Sequence, residues 1–395
     1  MQSKVFDIIE KEKKRQDSTV ELIASENFVS DNIMKAVGSC LTNKYTEGYP
    51  GNRYYGGCKF YDELEEYCQD KWKEVFHTSY HVNIQPHSGS QANMAVYNAL
   101  LKPGDTVLAM NLEEGGHLSH GSTVNFSGKL YNFIFYGLNN HGYINYYDMS
   151  DKIGRYKPKL ILIGASAYSR RINYKFIYNI IHTYNTDSYK PYYMVDMAHV
   201  AGLIAAGQHP SPFGYADVIT TTTHKTLRGT RGGLIFCRPT LSNKIDSSVF
   251  PGVQGGSLMH VIAGKAVTAE EVCTESFKKY AIQIINNSKA MCEEFKSMGY
   301  DIVSDGTDNH LFMIDFSKTH PNITGDEVQR ELDLVGITVN KNCVPNEKRS
   351  PKETSGIRIG SPAMTTKGYK EVDFIKVAHK IDFVIKRLVE QKKKL

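Results

Sequence analysis

No apolar run in the 395-residue chain approaches the roughly 20 residues that a membrane-spanning helix requires, so no membrane segment is expected. The seven cysteines, at 40, 58, 68, 237, 273, 292 and 343, are scattered and odd in number. No pair has CxxC or zinc-type spacing, which argues against a disulfide framework and a bound metal and for free thiols in a reducing compartment. Charge of one sign is also scarce. A net charge of +5 falls far short of a nucleic-acid footprint, although it suits a protein that collects small anions. The loop GxxxxGK[ST], a GxGxxG after a strand, HExxH and GxSxG are all missing, which removes the ATP, nicotinamide, zinc-peptidase and serine-hydrolase readings. The opening MQSKVFDIIEKEKKRQ reads as an amphipathic helix bearing Phe6, Ile8 and Ile9. It lacks the apolar core of a signal peptide, and its acidic residues argue against a transit peptide, so a cytoplasmic location is expected. Positive charge gathers only in the KRLVEQKKKL tail, as at a solvated helix end.

What is present is a rhythm. Helical segments are predicted over about 31–42 and 61–76, the latter with Leu64, Tyr67, Cys68 and Trp72 at helical spacing, and HSGSQ opens another helix over ANMAVYNALL. Short apolar runs then follow one another: TVLAMN, KLYNFIFYG, KLILIGAS, YYMVDMAHV and DVITTTT, with a helix over KFIYNIIHTY between two of them. Strands alternating with helices imply an α/β fold with a parallel sheet covered on both faces. The last third reads differently, as a small α+β domain containing HLFMIDF, ITVNKN and SGIRIG. The expected division is a helical arm at 1–30, a large domain at 31–268 and a small one at 269–395. In parallel sheets ligands bind beyond the carboxyl ends of the strands. That rule directs attention to His117, Ser166, Asp196, His199 and Lys225.

Lys225 stands in TTTTHKTLRGTRGG, between an apolar run and a basic, glycine-rich loop. A lysine amine at a strand end can condense with an aldehyde, and pyridoxal phosphate is its common partner. That cofactor needs a carboxylate at its pyridinium nitrogen. Asp196 ends a strongly apolar run, where an unpaired carboxylate would be costly and a cationic partner is required; alone, it could equally be a helix cap. His199 could reach the ring hydroxyl or be a satisfied core residue. Ser88-Gly89-Ser90-Gln91 at a helix start suits a phosphate. His117 in EEGGHLSHG could stack on the ring, and Arg358 in SGIRIG could grip a substrate carboxylate. Each feature has a plainer reading by itself; their joint occurrence points to a catalytic Lys225.

The segments ELIASENF, NKYTEGYPGNRYYGG, QPHSGSQAN, GGHLSHG, VDMAHVAGLIAAG, TTTTHKTLRG, QGGSLMHVIAGKAV, GTDNHLF, VNKN and SGIRIGSPA resemble serine hydroxymethyltransferase, most closely its bacterial form, in order from about residue 20 to 365. The resemblance implies an aspartate-aminotransferase-like fold, a homodimer and pyridoxal phosphate as cofactor. It also implies transfer of the hydroxymethyl carbon of serine to tetrahydrofolate, giving glycine. It makes Lys225 the Schiff-base lysine and Asp196 the pyridinium partner. His117 would stack on the ring, with His199, Ser166 and His224 around it and Arg231 supporting the lysine loop. Gly89 and Ser90 would hold the phosphate, joined from the neighbouring subunit by Tyr45 and Gly255. Arg358, Ser25 and Tyr55 would bind substrate, and Glu47 would handle protons near the serine hydroxyl with its pKa raised toward neutrality. Leu112, Gly116, Leu118, Tyr54 and Asn342 would line the folate pocket. Four departures from the family pattern stand out. Glu113-Glu114 bring negative charge that could oppose folate, Thr230 replaces a proline in the lysine loop, Ser257 replaces another after QGG, and Lys352 stands where an aromatic is usual. Two other readings stay open: a folate-independent aldolase of the same fold, and a non-catalytic paralogue.

Overall fold

The computed structural model describes residues 3–393. Met1 and Gln2, at the head of the expected N-terminal helix, and the last two residues of the basic tail lie outside that span. The chain forms two compact units, one of residues 27–282 and one of residues 1–26 with 283–395; the boundaries expected from the sequence are at 30 and 268.

In the 27–282 unit a seven-stranded sheet runs in the order 81–83, 233–237, 218–222, 192–196, 160–163, 106–110, 132–136. The strands from 218–222 to 132–136 pair in parallel, and 233–237 pairs antiparallel with both of its neighbours. Leu160–Ile163 and Val218–Thr222 are buried along their whole length. That is why these strands read as unbroken apolar or threonine runs rather than as alternating patterns. The helix Gly89–Leu100 buries Ala92, Ala95, Val96, Tyr97 and Leu100 against the sheet. The expected strands are present, and the helix over KFIYNIIHTY spans Tyr174–Thr183. Unforeseen are the strands 81–83 and 233–237, too short or too close behind a glycine-rich loop to show a period, and the helix Tyr146–Tyr156. The helix predicted over 31–42 stops at Val37, with one 3-10 turn at 40–42. In Lys59–Val75 the buried stripe is Glu65, Cys68, Trp72 and Val75, while Tyr67 faces solvent.

The other unit carries an antiparallel sheet ordered 301–302, 311–315, 356–360, 340–342. Its core includes Phe295, Phe312, Phe316, Phe374 and Ile381. The helix Gly325–Leu334 begins with a capping box between Thr324 and Glu327. Near the N-terminus, Val20–Glu21 pairs in parallel with Ile337–Thr338. The preceding helix Lys4–Ser18 buries no residue, and Phe6, Ile8 and Ile9 are all more than half exposed. Among the described residues, no helix is long and apolar enough to cross a membrane, and no cluster of His, Cys, Asp and Glu could hold a metal.

Candidate active site

Two adjacent parallel strands, 192–196 and 218–222, end side by side, and the residues beyond them form the centre of the site. The loop that carries Lys225 is laced by hydrogen bonds. Thr223 donates its hydroxyl to the Thr230 carbonyl at 2.6 Å, and Gly229 N–H donates to the Thr223 carbonyl at 2.8 Å. Thr226 donates its hydroxyl to the His199 carbonyl at 2.9 Å and accepts from Gly202 N–H at 2.9 Å. Gly202 permits this close approach, since a Cβ there would lie 2.3 Å from the Thr226 carbonyl oxygen. The Lys225 carbonyl accepts from Asn27 Nδ2 at 2.9 Å and from Arg228 N–H at 3.0 Å. Arg228 adopts a left-handed φ of 58° and lays its guanidinium 4.5 Å from the Tyr280 ring centroid. The loop is thereby fixed, and Lys225 is only 8% exposed.

Asp196 finds the cationic or polar company its burial demands. Its Oδ2 accepts from His120 Nε2 at 3.1 Å and from Asn93 Nδ2 at 2.9 Å, and its Oδ1 accepts from Ala198 N–H at 3.1 Å. Asn93 is in turn oriented by Thr220, whose hydroxyl donates to Oδ1 at 2.6 Å, and by a bond from Nδ2 to Ser119 Oγ at 2.9 Å. His120 Nδ1 accepts the His117 backbone N–H at 3.3 Å. This places the His120 proton on Nε2, aimed at the carboxylate. Burial alone would raise the Asp196 pKa, but the His120 hydrogen bond, the electrostatic pull of His120 and His117 and the Asn93 bond outweigh it and hold the carboxyl well below the usual range. Asp196 is therefore ionised at any working pH, with acceptor capacity left on Oδ1 for a further donor. His117 sits 5.5 Å from His120 between ring centroids, its Nδ1 2.8 Å from Ser119 Oγ. Ser166 is held beside this loop by its N–H, which donates to the Gly115 carbonyl at 2.7 Å.

The helix Gly89–Leu100 starts at the same end of the sheet, and Ser88 caps it by accepting from Gln91 N–H at 3.2 Å. Gly89 presses on the end of the neighbouring strand, where a Cβ would lie 2.6 Å from Thr222 Cγ2. The Thr222 hydroxyl and His224 Nδ1 are buried without a hydrogen-bond partner among the described residues. Burial and the neighbouring Arg231 and Lys225 charges push the His224 pKa down to about 3, so the ring is neutral. Unsatisfied buried donors beside a helix start, an ionised carboxylate and a lysine fit a phosphorylated, ring-nitrogen cofactor.

A second group is built on the hairpin at 48–53. Arg53, 3% exposed in its side chain, donates from Nη1 to the carbonyls of Thr46 at 2.9 Å and Gly48 at 2.8 Å, and from Nε to Asp62 at 2.8 Å. Its Nη2 pairs with the fully buried Glu65, whose other oxygen accepts from Gln85 at 2.8 Å. Tyr54 N–H holds the Glu47 carbonyl at 3.0 Å. The backbone around Glu47 is thus tied at three successive carbonyls. Tyr45 and Tyr55 pack at 5.4 Å between centroids, and Tyr54 lies 5.5 Å from Phe250. Glu47, Tyr54, Phe250, Gln254 and Gly255 line a cavity of about 580 Å³.

Leu112 and Leu118 are exposed and Gly116 is buried, all on the loop that carries His117. Ser25, Asn342 and Arg358 belong to the other unit. There, Gly360 N–H donates to the Leu22 carbonyl at 2.7 Å, and a Cβ on Gly360 would meet Ala24 at 2.3 Å, so Ser25 lies beside the strand that carries Arg358. Arg358 donates from Nε to Asn340 at 3.0 Å, and burial pushes its pKa down to about 10. Asn342 donates to the Cys343 carbonyl at 2.7 Å.

The departures from the family pattern resolve differently. Thr230 is 7% exposed and its carbonyl is held by Thr223, so the lysine loop is restrained without the proline. Ser257 bonds Thr46 Oγ1 at 2.8 Å and links the Glu47 segment to the turn after Gly255. Glu114 turns inward, accepting from Leu138 N–H at 3.3 Å, and burial raises its pKa; Glu113 is the exposed member of the pair. Lys352 is exposed, and its carbonyl accepts from Lys341. Sequence reasoning missed His120, Asn93, Thr222 and Arg53. A family model described as serine hydroxymethyltransferase matches residues 1–381.

Proposed function

The chain belongs to the serine hydroxymethyltransferase family, and on that premise we propose which of its residues carry the activity and how subunits share it. It is a pyridoxal-phosphate-dependent transferase of the fold type I class, interconverting serine and tetrahydrofolate with glycine and 5,10-methylenetetrahydrofolate. When bound, the cofactor supplies an electron-accepting ring that stabilises negative charge on the substrate carbon. The remaining work falls to the chain.

In this reading Lys225 supplies the anchoring amine. Asp196, kept ionised by His120 and Asn93, holds a proton on the ring nitrogen. Gly89, Ser90 and Thr222 take the phosphate, His117 covers one face of the ring, and His199, Ser166 and His224 border it, with Arg231 steadying the loop. Arg358 receives the substrate carboxylate in a two-pronged grip, with Ser25 near it. Glu47 moves the proton at the serine hydroxyl, and Tyr55 positions the substrate. Leu112, Gly116, Leu118, Tyr54 and Asn342 border the pterin.

The proposed assembly is a homodimer in which Tyr45, Glu47, Tyr55 and Gly255 serve the partner's cofactor. Exposed Tyr45, Tyr54, Tyr55 and Phe60 support it, at 59%, 72%, 47% and 71%. A reducing, cytoplasmic location is supported by seven free thiols.

The observation that carries the site assignment is the nearly buried Asp196, which accepts three hydrogen bonds at the end of the strand next to that of Lys225. The test is the visible absorption of bound cofactor, read with serine-dependent formation of methylenetetrahydrofolate. Lys225→Ala is expected to abolish both; a variant that keeps the wild-type band and rate would overturn the assignment.

A further inference from the structure

Lys265 lies on the helix Met259–Val272, is 1% exposed, and has no part in the site as described. Its ammonium donates to three backbone carbonyls, Ile84 at 2.6 Å, Pro86 at 3.0 Å and Gly233 at 2.9 Å. Three protons meet three acceptors, so its donor capacity is used completely. The acceptors are not arbitrary. Residues 84 and 86 lead directly into the Ser88 cap and Gly89, and Gly233 opens the strand that returns from the Lys225 loop. Gly233 N–H also donates to the Pro86 carbonyl at 3.0 Å, and a Cβ at Gly233 would lie 2.4 Å from the Ser88 carbonyl oxygen. Gly232 leaves room for the lysine itself, since a Cβ there would meet Lys265 Cε at 2.4 Å and Nζ at 3.0 Å. Such burial is costly for a charge; it pulls the Lys265 pKa down to about 8, with Cys68 and Glu65 as the ionisable groups opposing the fall. An apolar side chain would fill the same space without that cost, but it would take a hydrogen bond from each of three buried carbonyls, with Pro86 keeping its bond from Gly233 N–H.

We infer that Lys265 is a positioning residue for the cofactor's phosphate, tying the 84–88 segment to Gly233 and so setting the Gly89 amide and the Ser90 amide and hydroxyl, while its buried charge adds to the attraction for the dianion. The inference rests on the placement of the phosphate at Gly89 and Ser90 proposed above.

The test titrates full-length protein, freed of cofactor, with pyridoxal phosphate and separately with pyridoxal, which lacks the phosphate. Lys265→Met is expected to weaken pyridoxal phosphate binding by at least about tenfold while changing pyridoxal binding by less than about twofold. Gly232→Ala, which displaces the ammonium without removing it, should move the ratio of the two affinities in the same direction. If Lys265→Met does not fold, Gly232→Ala and Lys265→Gln decide by the same ratio. Equal weakening of both ligands would reduce Lys265 to a general structural role and overturn the inference, as would no change in either. Ser90→Ala separates the two layers. A ratio that shifts in Ser90→Ala but not in the Lys265 and Gly232 variants sinks the Lys265 inference alone. A ratio that shifts in none of them sinks the phosphate placement as well.

Discussion

The Asp196 centre and the 45–55 hairpin are both rigid, but their partners lie in different directions. Around Asp196 the polar atoms turn inward, with His120, Asn93, Thr220 and Ser119 satisfying one another inside one chain. In the hairpin the backbone is tied down by Arg53 and Gln85, while the rings of Tyr45, Tyr54 and Tyr55 are left exposed. A network that closes on itself can work within its own subunit. A stiff backbone that holds aromatic rings out to solvent suits presentation to another surface. The contrast teaches that rigidity alone does not mark a complete site; the direction in which unsatisfied surface points also matters.

The largest expected effect tests the inward region. Lys225→Ala should lower kcat by about 10³-fold or more in the steady-state assay, whereas Tyr54→Phe, on the outward region, should leave the cofactor's absorption unchanged. Next comes the anchor of the hairpin. Arg53→Met strands Glu65 in the interior and should cost about 3 kcal/mol in urea denaturation; a loss near zero would mean the hairpin does not depend on the guanidinium. The proposed sharing of sites gives a smaller but sharper signal. Inactive Lys225→Ala and Glu47→Ala chains, unfolded together and refolded, should regain about a quarter of wild-type activity through hybrid dimers with one intact site. No recovery would mean that each chain completes its own site.

The smallest effect is an acid slope confined to the inward region. His224 has its pKa pushed down to about 3, from an ordinary value of 6.5. In that window the ring binds a proton only when the chain unfolds. The stability it contributes is complete above pH 6.5 and is lost as pH falls toward 3. Replacing His224 with Asn should flatten the fall in the urea midpoint between pH 7 and about 5, and an unchanged slope would assign the acid sensitivity elsewhere.

Much of this was legible in the sequence because the physics was local. Parallel strands buried on both faces must be continuously apolar, so 160–163 and 192–196 announced themselves, and the strand-end rule led to Asp196 and Lys225. The demand for a partner to Asp196 was legible too, but not its identity. His120 lies three residues after His117 in a loop whose path depends on Gly115 and Gly116, and periodicity says nothing there. Asn93 carried a usable signal, a polar residue among Ala92, Ala95 and Val96 on an apolar helix face. Arg53 and Glu65 were invisible because ion pairing across 12 residues looks the same as two solvated charges. The parallel pairing of 20–21 with 337–338 depends on contacts more than 300 residues apart, beyond any local pattern.

The threonine at 230 has a thermodynamic consequence. A proline narrows the conformations of a loop in the unfolded chain as well as in the folded one. A hydrogen bond such as that from Thr223 to the Thr230 carbonyl restrains it only once the surroundings exist. The order of the Lys225 loop is therefore not stored in the covalent chain. It is created by folding and released with it, so heat should erode the loop's geometry together with the packing around it rather than leave a preformed turn behind.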